Sequence, residues 1–165
     1  MRHLTMGLAI AFMFVAGRGV DVAAVEAAEC KGVQGHLEET LVTGAACTSP
    51  VGLCTVAQMF GAVQGEAQFT ASAIIPSADT PTTGAVFVIG DTVIDDAKVA
   101  GRRGTLTVKN AAAFRTVADG DLVDVQTITG GTGELVGTTG SLRISGNFIA
   151  ATGGRSTYEG VVCLP

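Results

Sequence analysis

Along most of this chain apolar residues return at every second position, the spacing of a strand with one dry and one wet face. Ala67, Phe69, Ala71, Ala73 and Ile75 alternate with Glu66, Gln68, Thr70 and Ser72. Leu106 and Val108 alternate with Thr105, Thr107 and Lys109, Val123 and Val125 with Asp124 and Gln126, and Leu142 and Ile144 with Arg143 and Ser145. No stretch sustains a helical period. The expected inward set is therefore Phe69, Leu106, Val108, Val125, Leu142, Ile144 and Phe148.

Turn residues divide the pattern into candidate strands at Val33–Thr43, Cys54–Gly61, Val63–Ile75, Ala85–Ile94, Arg103–Lys109, Leu122–Thr129, Thr139–Ile149 and Ser156–Cys163. Eight is the number at which an up-and-down antiparallel barrel closes, its interior filled by side chains or holding one small ligand. Pro50-Val-Gly52 marks a turn, Pro76–Gly84 a long polar loop and Ala150–Gly154 a tight hairpin. Asn110–Phe114 suits a single helical turn. Ala85–Ile89 is apolar on both faces, which calls for an external cover or an interface.

The first 28 residues read as a secretory signal peptide. Arg2 and His3 precede an uncharged, mostly apolar Leu4–Ala16, with small residues and a cleavage zone between Ala24 and Ala28. Thirteen such residues fall short of the roughly 20 needed to span a bilayer, and Glu29 stands where a lipoprotein signal before Cys30 would want a small residue. Residues 29–165 then form one domain, exported to the periplasm or beyond. Its net charge stays near the −5 of the whole chain, since the leader loses Arg2 and Arg18 with Asp21 and Glu26. With Arg102-Arg103 the largest basic cluster, one Tyr and no Trp, there is no footprint for nucleic acid. All four cysteines lie beyond the leader, and an even count in an exported chain reads as disulfides. Intervening spacings of 16, 6 and 108 residues and a single remaining histidine, His36, do not suit a zinc site.

One segment is more specific than the pattern around it. Thr129-Gly-Gly-Thr-Gly-Glu-Leu-Val-Gly-Thr-Thr-Gly140 carries five glycines and feeds the alternating Ser141–Phe148. It resembles the glycine-rich segment of allene oxide cyclase-like and dirigent-like barrel proteins. Asp91–Ile94, Arg103–Val108, Thr127–Gly131 and Tyr158–Pro165 extend the likeness, over most of residues 30–165, to exported bacterial proteins with an allene oxide cyclase-like barrel. Leu135 stands where an aromatic residue is usual, a departure that bears on packing. The resemblance implies an all-β closed barrel whose cavity or mouth shapes a hydrophobic molecule. None of the family's polar catalytic residues has a counterpart here, so none is carried over.

In such a barrel the first and last strands are antiparallel neighbours. Of the three pairings four cysteines allow, this favours Cys30 with Cys163, at a Cα separation of about 4.4–6.8 Å, and Cys47 with Cys54 across the Pro50 turn.

Other constellations carry less. His36 and Glu38 could serve as an acid–base pair, but they oppose Val33, Leu37 and Leu41 and so face solvent. Asp91, Asp95 and Asp96, and Asp119, Asp121 and Asp124, lack the order of a calcium loop and read as wet surface. Gly130–Gly133 lacks the ending of a phosphate loop and a following helix. No G-x-S-x-G elbow occurs. Arg143 should face outward, leaving Arg102, Arg103 and Arg115 near strand ends as anchors for a carboxylate.

Two functions fit. The first is a barrel binding a small hydrophobic ligand in its interior or mouth, with isomerase- or cyclase-like action by shape as an extension. Its expected contacts are Phe69, Arg103, Arg115 and Phe148, with no metal or other cofactor. The second is a structural or interaction module of the cell envelope with a packed core. An apolar void of several hundred Å³ would mark the first. The absence of a polar inward cluster in the pattern argues against demanding chemistry.

Overall fold

The computed structural model describes residues 28–117 and 119–165; the expected leader and its cleavage zone lie almost wholly outside them. Eight strands follow in order: β1 Glu29–Val42, β2 Cys54–Gly61, β3 Val63–Pro76, β4 Ala85–Val99, β5 Arg102–Arg115, β6 Asp121–Gly131, β7 Thr139–Ile149 and β8 Gly153–Leu164. Each pairs antiparallel with its neighbours in sequence, and β1 pairs with β8, so the sheet closes into a barrel. Among the described residues the remaining regular structure is one helical turn, Thr80–Thr83, and two 3₁₀ turns, Gly44–Ala46 and Gly133–Leu135. None of the described helices is long and apolar enough to cross a membrane.

Several strands outrun their expected bounds. β4 and β5 gain most: β4 runs on past Ile94 to pair Ala97–Val99 with Gly104–Arg102, and in β5 the sequence Ala-Ala-Ala-Phe at 111–114 pairs with Ile89 to Val86 instead of coiling into the expected helical turn. Alanine's helix preference is a weak prior against a full ladder of cross-strand hydrogen bonds. Along β5, Leu106 and Val108 are buried, as expected, while Thr107 is exposed.

β6 reverses the expectation. Val125 is 53% exposed and Val123 42%, whereas Asp124 and Gln126 are buried inside the barrel. Both faces of this strand carry apolar residues, Leu122 and Ile128 on one and the two valines on the other, so alternation alone could not choose. The β5 pairing, shifted by an irregularity at Thr107/Val108, puts Asp124 opposite Ala112 and Gln126 opposite Asn110. The outward valines join a stripe on the outer surface. Ile75 pairs with Phe87, Phe87 with Ala113 and Ala113 with Val123, while Ile89, Ala111 and Val125 continue the neighbouring row. The doubly apolar Ala85–Ile89 thus divides, with Val86 and Val88 inside and Phe87 and Ile89 in this exposed stripe.

The two ends of the barrel differ. At one, the turn after β6 folds across the opening and drops Leu135 into the core, fully buried with Val63, Ile94, Leu106 and Val162. Gly133 makes that turn feasible. Its φ is +60°, and a Cβ there would stand 2.9 Å from the Arg103 carbonyl oxygen. A fully buried side chain of this kind stabilises by about 1.5–3 kcal/mol. The other end is bordered by the β1–β2, β3–β4, β5–β6 and β7–β8 connections and remains open.

Both expected bridges are present. Cys30 and Cys163 are direct cross-strand partners at the β1–β8 seam, with Cα atoms 3.8 Å apart, closer than the expected window; Cys47 and Cys54 stand at 5.5 Å. Two disulfides and no free cysteine suit an oxidising compartment.

Candidate functional site

The open half of the barrel holds a half-enclosed cavity of about 90 Å³. One water needs roughly 10–15 Å³ of such space, so several waters or the core of one small molecule fit. This falls short of the apolar void of several hundred Å³ expected of a ligand barrel; the interior is filled further than that expectation allowed. Much of the wall is apolar: Ala57 and Met59 of β2, Phe69 of β3, Val88 of β4, Phe114 of β5 and Phe148 of β7 all line it. Phe69 reaches its place because β4 carries glycine diagonally across from it, two residues from its partner Thr92. A Cβ on Gly90 would meet the Phe69 ring at 2.4 Å. Phe114 and Phe148 meet at the wall with ring centroids 6.2 Å apart, tilted by 56°.

Set among these rings is a polar lining that the alternation pattern did not reveal, and Phe69 itself pairs with Thr55 on one side and Thr92 on the other. Thr92 Oγ1 donates to Asn110 Oδ1 at 2.9 Å, and Asn110 Nδ2 donates to Asp124 Oδ2 at 2.7 Å. Gln126 Nε2 donates to the same carboxylate oxygen at 3.0 Å. Thr55 Oγ1 donates to Glu39 Oε1 from the β1–β2 side. Asp124 Oδ1 and Gln126 Oε1, both buried, have no hydrogen-bond partner. The pattern therefore missed an inward polar cluster of six residues drawn from β1, β2, β4, β5 and β6.

The electrostatics follow from this placement. Burial pushes the Asp124 carboxyl above the usual range, partly offset by the side-chain hydrogen bonds from Asn110 and Gln126 and by the backbone of Ala111. Burial likewise raises Glu39, partly offset by Thr55, with the nearby Asp124 charge pushing it further. No lysine, arginine or histidine is among the residues lining the cavity. Two carboxyls thus share a low-dielectric space without a cation, an arrangement that disfavours charging both at once.

Glu39 carried a legible signal. It shares strand parity with Val33 and Leu37, so a carboxylate stood on the buried face of the first strand. Asp124 carried none, for the reason given for β6.

The four expected contacts divide. Phe69 and Phe148 line the cavity. Arg115 sits at the open rim, where its Nη1 lies 2.8 Å from Asp121 Oδ2. Arg103 is at the plugged end, its backbone N–H donating to Glu134 Oε2 at 2.9 Å, and Arg102 beside it donates to the Pro165 carbonyl at 2.7 Å. Neither joins the cavity. His36 is exposed and stacks on Phe60 on the outer surface, ring centroids 5.0 Å apart.

No family model and no curated protein matches the sequence. Among solved structures the chain is similar to a protein of unknown function from the DUF3224 family of Shewanella oneidensis. The match has a TM-score of 0.54 at 19% identity and covers 83% of this chain and 98% of that one. A likeness at this identity speaks to the barrel fold alone.

Proposed function

We propose that this barrel binds a small, largely apolar molecule in its open half, outside the cytoplasm. The observation that carries the reading is the unequal filling of the interior. One end is plugged by Leu135, while the other keeps a half-enclosed cavity whose lining combines aromatic side chains with unpartnered buried acceptors. A protein selected only for rigidity would fill that void, since empty core space costs stability. The likeness of Gly130–Gly140 to allene oxide cyclase-like and dirigent-like proteins supports a barrel that orients its guest, with isomerase- or cyclase-like action as the catalytic form of the same role. The two disulfides and the apolar leader support export.

The test is native mass spectrometry of the protein purified from its own host, joined to NMR titration with single-ring probes. A bound small molecule, or shifts confined to cavity residues such as Ala57 and Phe148, is the expected result. Ala112→Leu, which fills the cavity from β5, should abolish the shifts while the protein stays folded. An interaction role is the second reading, favoured by the exposed stripe of Phe87, Ile89, Val123 and Val125. It becomes the better one if no probe binds.

A further inference from the structure

Granted the ligand-binding reading, we infer that the cavity is built for a molecule that carries a primary ammonium group on a small apolar body. The polar wall offers acceptors and lacks a cation. Asp124 and Gln126 are each only 6% exposed, and each turns one oxygen, Oδ1 and Oε1, to no partner. Their other polar atoms are spent within the wall, where Asn110 and Gln126 both donate to Asp124 Oδ2. Glu39 adds a second carboxyl to the lining. Unmet buried acceptors are left without the water they lost on folding, and an incoming donor recovers that cost.

An ammonium fits this set better than other donors do. It presents three N–H groups and no acceptor, and its charge answers the carboxyls that lie together without a basic neighbour. A hydroxyl brings one donor and no charge. A carboxylate would add a third acidic group, so the rim arginine, Arg115, held by Asp121, does not make this an anion site. Phe69, Phe114 and Phe148 complete the match, since aromatic faces hold both an apolar body and a nearby cation.

A matched series tests this: benzylamine, benzyl alcohol, toluene and benzoate, titrated into the oxidised protein at neutral pH by calorimetry and NMR. Benzylamine should bind about tenfold or more tighter than benzyl alcohol, the worth of one charge-assisted hydrogen bond, and benzoate should be the weakest. Asp124→Asn and Glu39→Gln should each erase the amine's advantage over benzyl alcohol, and the dispersed NMR spectrum of each variant, recorded in the same titration, shows that it folds. If either variant fails to fold, the ranking on the unmodified protein decides alone. Equal or tighter binding of benzyl alcohol or toluene overturns the ammonium assignment and leaves a ligand barrel standing. Failure of all four probes overturns both.

Discussion

Tyr158 shows how one side chain can hold a closed sheet in register. It sits on β8, yet its hydroxyl accepts from the Val63 N–H at 2.8 Å and lies 2.8 Å from the Val63 carbonyl oxygen and 3.1 Å from that of Phe60. It thereby satisfies the backbone where β2 turns into β3. Val63 is fully buried, so no solvent would replace the lost partner. Tyr158→Phe should cost about 1–3 kcal/mol, the price of orphaning a buried donor. Urea denaturation checks this: the midpoint should fall at constant slope, and an unchanged midpoint would show that the hydroxyl is dispensable. The same scale separates what could be read from what could not. Glu39 was legible as a carboxylate sharing a face with Val33 and Leu37. The Tyr158 bond was not, because nothing in the sequence brings residue 158 to residue 63.

Among the elements, β5 and β6 show where alternation runs out. Leu106 and Val108 had only threonines and a lysine to alternate with, so their face was fixed by burial alone. β6 offered apolar side chains on both faces, and the answer came from pairing: Gln126 stands opposite Asn110, which completes the polar wall. A one-residue slip in register exchanges the two faces, and the irregularity at Thr107/Val108 is of that size. The β1–β8 seam was more legible. Strand count and cysteine position together placed Cys30 beside Cys163, whose bridge spans a sequence separation of 133 residues. In the chain-entropy account a loop of that size contributes up to about 4–5 kcal/mol. The double variant Cys30→Ser/Cys163→Ser should lose most of this in a urea titration. Cys47→Ser/Cys54→Ser, which opens a separation of 7 residues, should lose less. The reverse order would mean that the barrel closes without help at its seam.

Across the whole molecule, stability and the open cavity pull against each other through two carboxyls. Glu39 and Asp124 are both raised, chiefly by burial, from ordinary values of 4.5 and 3.8. A carboxyl raised in the folded state holds its proton over a range where the unfolded chain has already lost it. Folding therefore takes up protons between the ordinary values and the raised ones, and stability falls as pH climbs through that window. Below the ordinary values both states are protonated and this contribution levels off. Above the raised values the full cost of two buried charges is present. The melting temperature should thus rise as the pH is lowered from neutral toward the ordinary values of 4.5 and 3.8, in constant ionic strength. Glu39→Gln with Asp124→Asn keeps the shape and removes the titration, so the double variant should be the more stable protein at neutral pH and show a flattened slope. A slope that survives in the double variant would place its origin outside the cavity. A flattened one would show that the empty barrel carries the cost of this acidic wall, a cost that a bound cation would relieve.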